Sequence, residues 1–410
     1  MDEKTILTIL VVIISADFIL QGILSYLNRE SAKKKIPETL EGIYDEEKYR
    51  TSQKYNSEIA RFGSISSTVS FVLLLAALLF GWFGLLDHWI RAFSPLSLTT
   101  PLIFFGILYL ASDLLGTPFS IYRTFVIEEK YGFNKMTPKT YVADKLKGYL
   151  LTLIFGALIL GTLVFLVDSI GRNFWIYFWI ILALFSLGAN VLYTSLILPL
   201  FNKLTPIEEG ELKDSIKTYS QKVNFPLTNI FIMDGSKRSS KGNAFFSGLG
   251  KRKKVVLFDT LIEKHSTEEL TAVFAHEVGH FKKKHIVSGT IFGILLMGVM
   301  LFLFSRMAYS AEVSWAMGGD TSALHLNLLA FGILYTPLST IFGIIGNVIS
   351  RKNEYEADNY AKSTYNAAPL VQGLKKMSSD HLSNLTPHPA YVFVHYSHPP
   401  LLERIQNLLK

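Results

Sequence analysis

The chain has 410 residues, of which half are hydrophobic and only 18% charged, with a formal net charge of +7 and no cysteine. Soluble domains carry about 25% charged residues, so a purely soluble chain is disfavoured. The missing cysteines exclude disulfides, thiolate metal ligands and cysteine-linked lipid anchors, and leave His, Asp and Glu to hold any metal.

The apolar residues are gathered into runs. Seven candidate membrane helices follow in chain order: 5–28, 63–86, 98–116, 149–171, 174–200, 286–308 and 325–350. A bilayer core of ~30 Å needs about 20 apolar residues, which each run supplies. The first is too long for a cleaved signal peptide; MDEK precedes it and no A-x-A site follows. Basic residues alternate between the connections. One Lys precedes the first run, then 29–62 holds eight Lys and Arg, 87–97 one, 117–148 six, 172–173 one, 201–285 fifteen, 309–324 none, and the tail from Arg351 seven. The positive-inside rule puts 201–285 and the tail in the cytosol and the N-terminus on the other side. The basic excess is therefore topological. A lipid bilayer is the expected partner and nucleic acid is not.

The segment 201–285 is the longest polar stretch. Glu208–Val223 reads as an amphipathic helix. Thr228–Met233 and Val255–Phe258 read as strands, separated by turn material at Asp234-Gly235-Ser236 and Ser247-Gly248-Leu249-Gly250. Ser266 then caps a helix, with Glu269 at the capping-box spacing. Beyond Arg351 the last run continues as a helix. Asn384–Pro389 reads as a loop, Tyr396–Pro400 as a turn and Leu401–Leu409 as a final helix. The expected fold class is an all-α multi-pass membrane protein with a small cytosolic α+β module. The expected divisions are 1–200 (five membrane helices), 201–285 (module), 286–350 (two further membrane helices) and 351–410 (tail).

The capped helix carries His276-Glu277-Val278-Gly279-His280. Residues four apart share a helix face, so both imidazoles can reach one zinc ion, and the glutamate between them can act as general base on the attacking water. Two histidines leave a catalytic zinc site one protein ligand short. Glu354 is the candidate third ligand, since it lies on the same side of the membrane as HEVGH. Asp358, one turn on, could accept the other N–H of a ligand imidazole. Both could equally be charges on a solvated helix face. Pattern alone reads His398 as a loop histidine before two prolines and His285 as interfacial. His88, His265, His325, His381 and His388 join no constellation. Asp17, Asp113, Asp168, Asn190 and Asn347 fall within or near runs, where polar groups usually face a protein interior or water. Asp168 reads as a span end.

At these residues the chain resembles the type I CAAX prenyl proteases, a family of integral-membrane zinc metallopeptidases. The resemblance includes Pro118-Phe119-Ser120, Thr124–Asn134, Pro199–Pro206, Gly235–Ser240 with Asn243-Ala244, and Val256–Thr260, besides HEVGH. In the tail it includes Glu354-Tyr355, Ala357-Asp358 and His395–Arg404. It implies zinc on His276, His280 and Glu354, with Glu277 catalytic. Asn243 and His398 would contact substrate or the developing oxyanion, supported by Arg404. It also implies seven membrane helices around a water-filled chamber, with removal of the last three residues after a prenylated cysteine, and the expected assembly is a monomer. The chain departs from the family pattern at Lys241-Gly242 and in the short 309–324 connection, so the second cut made by some members is not carried over. An extended substrate could pair with the strand at 255–258 or with Asn243–Phe246. The rival readings are a membrane quality-control peptidase of the heat-shock type and a non-catalytic transporter or lipid-binding scaffold. The former has about four spans and no HYSHPP segment; intact HEVGH speaks against the latter.

Overall fold

The computed structural model describes residues 1–94, 96–247 and 253–410. The Gly248–Gly250 part of the expected turn, and the start of the basic run at 251–254, lie outside them. Helix α1 spans Glu3–Ser31, capped by Asp2, and α2 spans Glu46–Leu79, capped by Asp45. Gly81, at φ 65°, breaks the chain and α3 follows at Trp82–Phe93. Helix α4 (Thr99–Tyr122) runs into a π-helical turn at Arg123–Glu128. Helices α5 (Pro138–Ile170) and α6 (Phe174–Leu192) follow, then a second π-helical turn and the short α7 (Leu198–Phe201).

Outside this helical region come β1 (Leu204–Pro206), α8 (Glu211–Lys222), β2 (Leu227–Met233), β3 (Ala244–Ser247), β4 (Lys253–Phe258) and α9 (Asp259–Ile262). They lead to α10 (Thr267–Lys282), α11 (His285–Ser305), α12 (Ala311–Ala316) and α13 (Leu324–Leu334). The chain ends with α14 (Thr336–Thr364), α15 (Ala367–Asp380), α16 (Pro389–His395) and α17 (Leu401–Leu409).

Among the described residues, five helical stretches are long and apolar enough to cross a membrane, or six if α13 and α14, bent by 51°, make one span. One stretch, Pro138–Asn190, covers 53 residues. At 1.5 Å per residue that is roughly 80 Å, far beyond one crossing. It folds back at Gly171, and Phe155 of α5 meets Phe185 of α6 with ring centroids 5.7 Å apart. Outward faces such as Ile19, Leu153, Leu184 and Leu295 are exposed and apolar, which suits lipid and not water.

Several expected boundaries shift. The connection 29–62 is largely helix, because α2 starts at Glu46, and the second apolar run ends at Leu79, not 86. The connection 117–148 is mostly helical too. Leu40, Tyr44 and Tyr55 of the first connection belong to the core of the polar module, packed with Phe274, Val278 and Ile405.

The sheet has the order β1-β2-β4-β3, with β2 and β4 parallel and the outer pairs antiparallel. Val255–Phe258 is therefore an inner strand with both neighbours occupied and has no edge for a substrate; β3 is an edge. Between α1, α2 and α13 lies a chamber of about 1740 Å³, lined by Asp17, Gln21, Ser25 and Ser64, and its wall also includes Asn243, His398 and Arg404. Of the other polar groups near spans, Asp113 is bound by Lys145 and Tyr149. Asn347 donates to the Val394 carbonyl, tying α14 to α16, and Asp168 is exposed near the end of α5. His325 is buried against Asp87, 2.7 Å away, and Arg91 clamps the same carboxylate.

Candidate metal centre

Helix α10 starts with a full capping box between Ser266 and Glu269, which satisfies amide groups at its N-terminus. Two turns on, His276 and His280 share the side that packs on α14. The helices meet closely because Gly279 has no side chain: a Cβ there would lie 2.9 Å from Ala357 Cα and 3.0 Å from Ala357 O. Ala357, fully buried, keeps its side of the contact small. This approach lets two helices distant in sequence share one site. Helix α14 presents Glu354 and, one turn further, Asp358.

Seven polar side chains converge there. His280 Nε2 lies 3.2 Å from His276 Nε2 and 3.2 Å from Glu354 Oε1; His276 Nε2 is 3.4 Å from Glu354 Oε2. Behind His276, Nδ1 is 2.8 Å from Asp358 Oδ1. Arg404, from α17, grips Asp358 with Nε at 2.9 Å and Nη2 at 2.6 Å, and its Nη1 lies 3.4 Å from Glu354 Oε2. His398 Nε2 stands 3.4 Å from Glu354 Oε1 on the chamber side, with its side chain 65% exposed. Glu277 is half-buried and close enough to feel the charges of His276, His280, Glu354 and Arg404.

The electrostatics follow from this packing. Burial alone would lower the pKa of His276, but hydrogen bonds to Asp358 and Glu354 outweigh it and raise it to about 9 in the metal-free protein. A cation can take the place of that proton. Burial pushes Glu277 above the usual carboxylate value, toward the range of a general base.

The residues fit a metal ion. His276, His280 and Glu354 each offer one ligand atom, and these atoms lie within 4.8 Å of one another. Glu354 Oε2 is buried and has only long contacts, 3.4 Å to His276 Nε2 and 3.4 Å to Arg404 Nη1, so a lone pair is left for a cation. If His276 donates Nδ1–H to Asp358, its Nε2 lone pair is left facing the cluster.

A family model described as "CAAX prenyl protease N-terminal, five membrane helices" matches residues 25–203, and one described as "Peptidase family M48" matches residues 206–410. The chain belongs to peptidase family M48. It is 33% identical to CAAX prenyl protease 1 of Saccharomyces cerevisiae, over 96% of this chain and 93% of that protein. It is 34% identical to the CAAX prenyl protease 1 homolog of Arabidopsis thaliana, over 91% of this chain and 90% of the other. The crystal structure of S. mikatae Ste24p superposes with a TM-score of 0.94 at 34% identity, covering 98% of this chain and 99% of that one. This M48 chain is thus an integral membrane metalloprotease.

The site brings together seven of the eight residues singled out in the sequence. Asn243 shares the chamber wall with His398 and Arg404, and its Oδ1 accepts the Ala244 N–H at 2.8 Å. His285, at the start of α11, has partners that its place in the sequence does not show: its Nδ1 lies 3.0 Å from His280 Nδ1, and its Nε2 lies 3.2 Å from Glu356 Oε2. Glu356, on α14 between Glu354 and Asp358, is its partner. Lys241, at the point of departure from the family pattern, donates to Tyr55 and pairs with Glu128. It joins the 29–62 connection to the rim of the chamber.

Proposed function

We propose that this protein is a zinc metalloendopeptidase of the membrane that removes the C-terminal tripeptide from prenylated CAAX chains. The observation that carries this reading is the His276–His280–Glu354 cluster, whose Glu354 is approached by His398 and Arg404, two residues that also line the chamber between the membrane helices. The relatives named as CAAX prenyl proteases supply the substrate class.

His276, His280 and Glu354 would hold the zinc. When bound, the ion would act as a Lewis acid toward the scissile carbonyl and acidify the attacking water. Glu277 takes the proton from that water and passes it to the leaving amine. Asp358 holds His276 in one tautomer, and Arg404 fixes Asp358 through two parallel hydrogen bonds. His398, reaching in from the chamber, donates to the developing oxyanion. Asn243 precedes edge strand β3, and an extended peptide pairing with β3 would pass it. The chamber gives the prenyl chain room beside the site, against apolar wall residues such as Phe18, Phe71 and Leu74.

Seven spans are proposed: α1, α2, α4, α5, α6, α11 and the bent pair α13–α14. Folding the 53-residue stretch into two crossings at Gly171 supports this count. The polar module, in 201–285 and 351–410, then faces the cytosol with the basic connections. In a eukaryote the membrane is that of the endoplasmic reticulum; in a prokaryote, the inner membrane. The chain acts as a monomer, without nucleic acid.

Mass spectrometry of C-a-a-X peptides incubated with purified protein tests the proposal. Release of an intact tripeptide from farnesylated peptide, with far slower release from the unprenylated peptide, is expected. Equal cleavage of both, at scattered bonds, would point to a membrane quality-control peptidase instead.

A further inference from the structure

Each metal-site histidine is held from behind, but by different means. His276 leans directly on a carboxylate, Asp358, at 2.8 Å. His280 meets a ring instead: its Nδ1 is 3.0 Å from Nδ1 of His285, and the two rings stand edge to face at 75°. On its far side His285 Nε2 lies 3.2 Å from Glu356 Oε2.

Two ring nitrogens this close attract only if one carries a hydrogen and the other a lone pair. An ionised carboxylate is acceptor-only, so Glu356 calls for the hydrogen on Nε2 of His285. A neutral His285 then has a bare Nδ1, which accepts from Nδ1–H of His280. That leaves a lone pair on His280 Nε2, the atom 3.2 Å from both His276 Nε2 and Glu354 Oε1. The chain of donors runs one way, with its direction fixed at Glu356.

We propose that His285 and Glu356 are positioning residues that fix the tautomer and ring plane of His280 for the metal, as Asp358 and Arg404 do for His276. The backbone is shaped for it. On one continuous helix His285 would lie 500° round from His280, well off its face. Instead α10 stops and Lys284 takes a left-handed conformation, φ 59°, which starts α11 at His285 in a new direction. A non-glycine residue in that region is strained, so it persists only where the surroundings hold it. His285 is nearly buried while Glu356 remains part-exposed, with side chains 8% and 38% accessible. Glu354, Glu356 and Asp358 thus give one ligand and two supports from a single turn of α14.

This inference rests on His280 being a metal ligand, so zinc binding by the wild-type protein is measured first, in detergent, by chelator competition at fixed pH. The same measurement is made on His285→Ala, His285→Asn, Glu356→Ala and Glu356→Gln, with melting of each metal-free protein. Loss of such a support typically weakens metal affinity about 10- to 100-fold. His285→Ala should fall in that range. His285→Asn, whose Oδ1 stands where Nδ1 stood, should recover to within a few-fold, and Glu356→Gln should do better than Glu356→Ala. A purely structural role would lower melting in all variants without this order in zinc affinity. If His285→Ala does not fold, His285→Asn and the part-exposed Glu356 pair decide. Wild-type zinc binding with unchanged affinity in the His285 and Glu356 variants overturns this inference alone; no zinc on the wild type overturns the metal-site reading with it.

Discussion

Gly279→Ala perturbs the site without touching a ligand. In most exposed helices this change would stabilise by about 1 kcal/mol, because glycine is the poorer helix former. Here the new methyl would sit 2.9 Å from Ala357 Cα, 3.0 Å from Ala357 O and 3.1 Å from Tyr360 Cβ. Carbon atoms pack at about 3.5–4.0 Å, so α10 and α14 must separate by roughly 0.6 Å or more. Overpacking of this kind costs ~1–3 kcal/mol, which leaves a net loss of about 0–2 kcal/mol after the helix gain. The consequence for the metal is larger. Metal–ligand distances tolerate only about ±0.2 Å, and Glu354 sits on the helix being pushed away from both histidines. Zinc affinity should therefore fall by at least ~10-fold while the fold survives, a fall comparable with losing an outer support. Ala357→Gly should not rescue it, because the two nearest atoms met are backbone. Chelator competition beside thermal melting reads both quantities. A Gly279→Ala protein with wild-type zinc affinity would refute the idea that this helix contact sets the site.

His398→Ala should keep zinc and stability but lose ~10²–10³ in kcat, about 3–4 kcal/mol, with little change in KM; a fully folded variant within a few-fold of wild type would assign His398 no catalytic part. Zinc should enter with proton release. His276 in the metal-free site holds its proton up to about 9, and the metal takes the neutral ring, so apparent affinity should rise with pH until that value and level off above it; calorimetry in buffers of different ionisation enthalpy would show no proton release if this is wrong. Single cysteines placed in this cysteine-free chain should label from the cytosolic side at 29–62 and in the tail, and from the other side at position 315; cytosolic labelling of 315 would break the seven-span arrangement.

How much was legible in the sequence follows from the range of the forces involved. The HEVGH helix, its Ser266 cap and the last helix at Leu401–Leu409 are written in local spacing, and they fold where they were expected. Membrane runs show in hydropathy, but hydropathy sees only the part inside the bilayer. The polar start of α2, Glu46–Arg61, carries no such signal and falls in the 29–62 connection, although Tyr55 packs into the module core. Val255–Phe258 was recognised as a strand, yet its unbroken apolar run already marks a strand buried on both faces, not an edge. Strand β3 overlaps Asn243–Phe246, the segment offered for substrate pairing, but four residues carry too little alternation to mark it as a strand. His285 was missed because its relation to His280 depends on a left-handed residue at Lys284, which helix spacing does not predict. A signal did exist: three acidic residues alternate at 354, 356 and 358 facing two histidines and a third five residues on. Glu354 itself owed its place to the family resemblance, since spacing alone left it level with surface charge.

The most direct test of the metallopeptidase account is Glu277→Gln, purified and zinc-analysed beside the wild type, with farnesylated C-a-a-X peptide as substrate. The account predicts about one zinc per chain in both proteins, tripeptide release by the wild type, and a loss of ~10² or more in rate for the variant, since the base is removed and the ligands are not. Wild-type turnover by a zinc-loaded Glu277→Gln protein would contradict it.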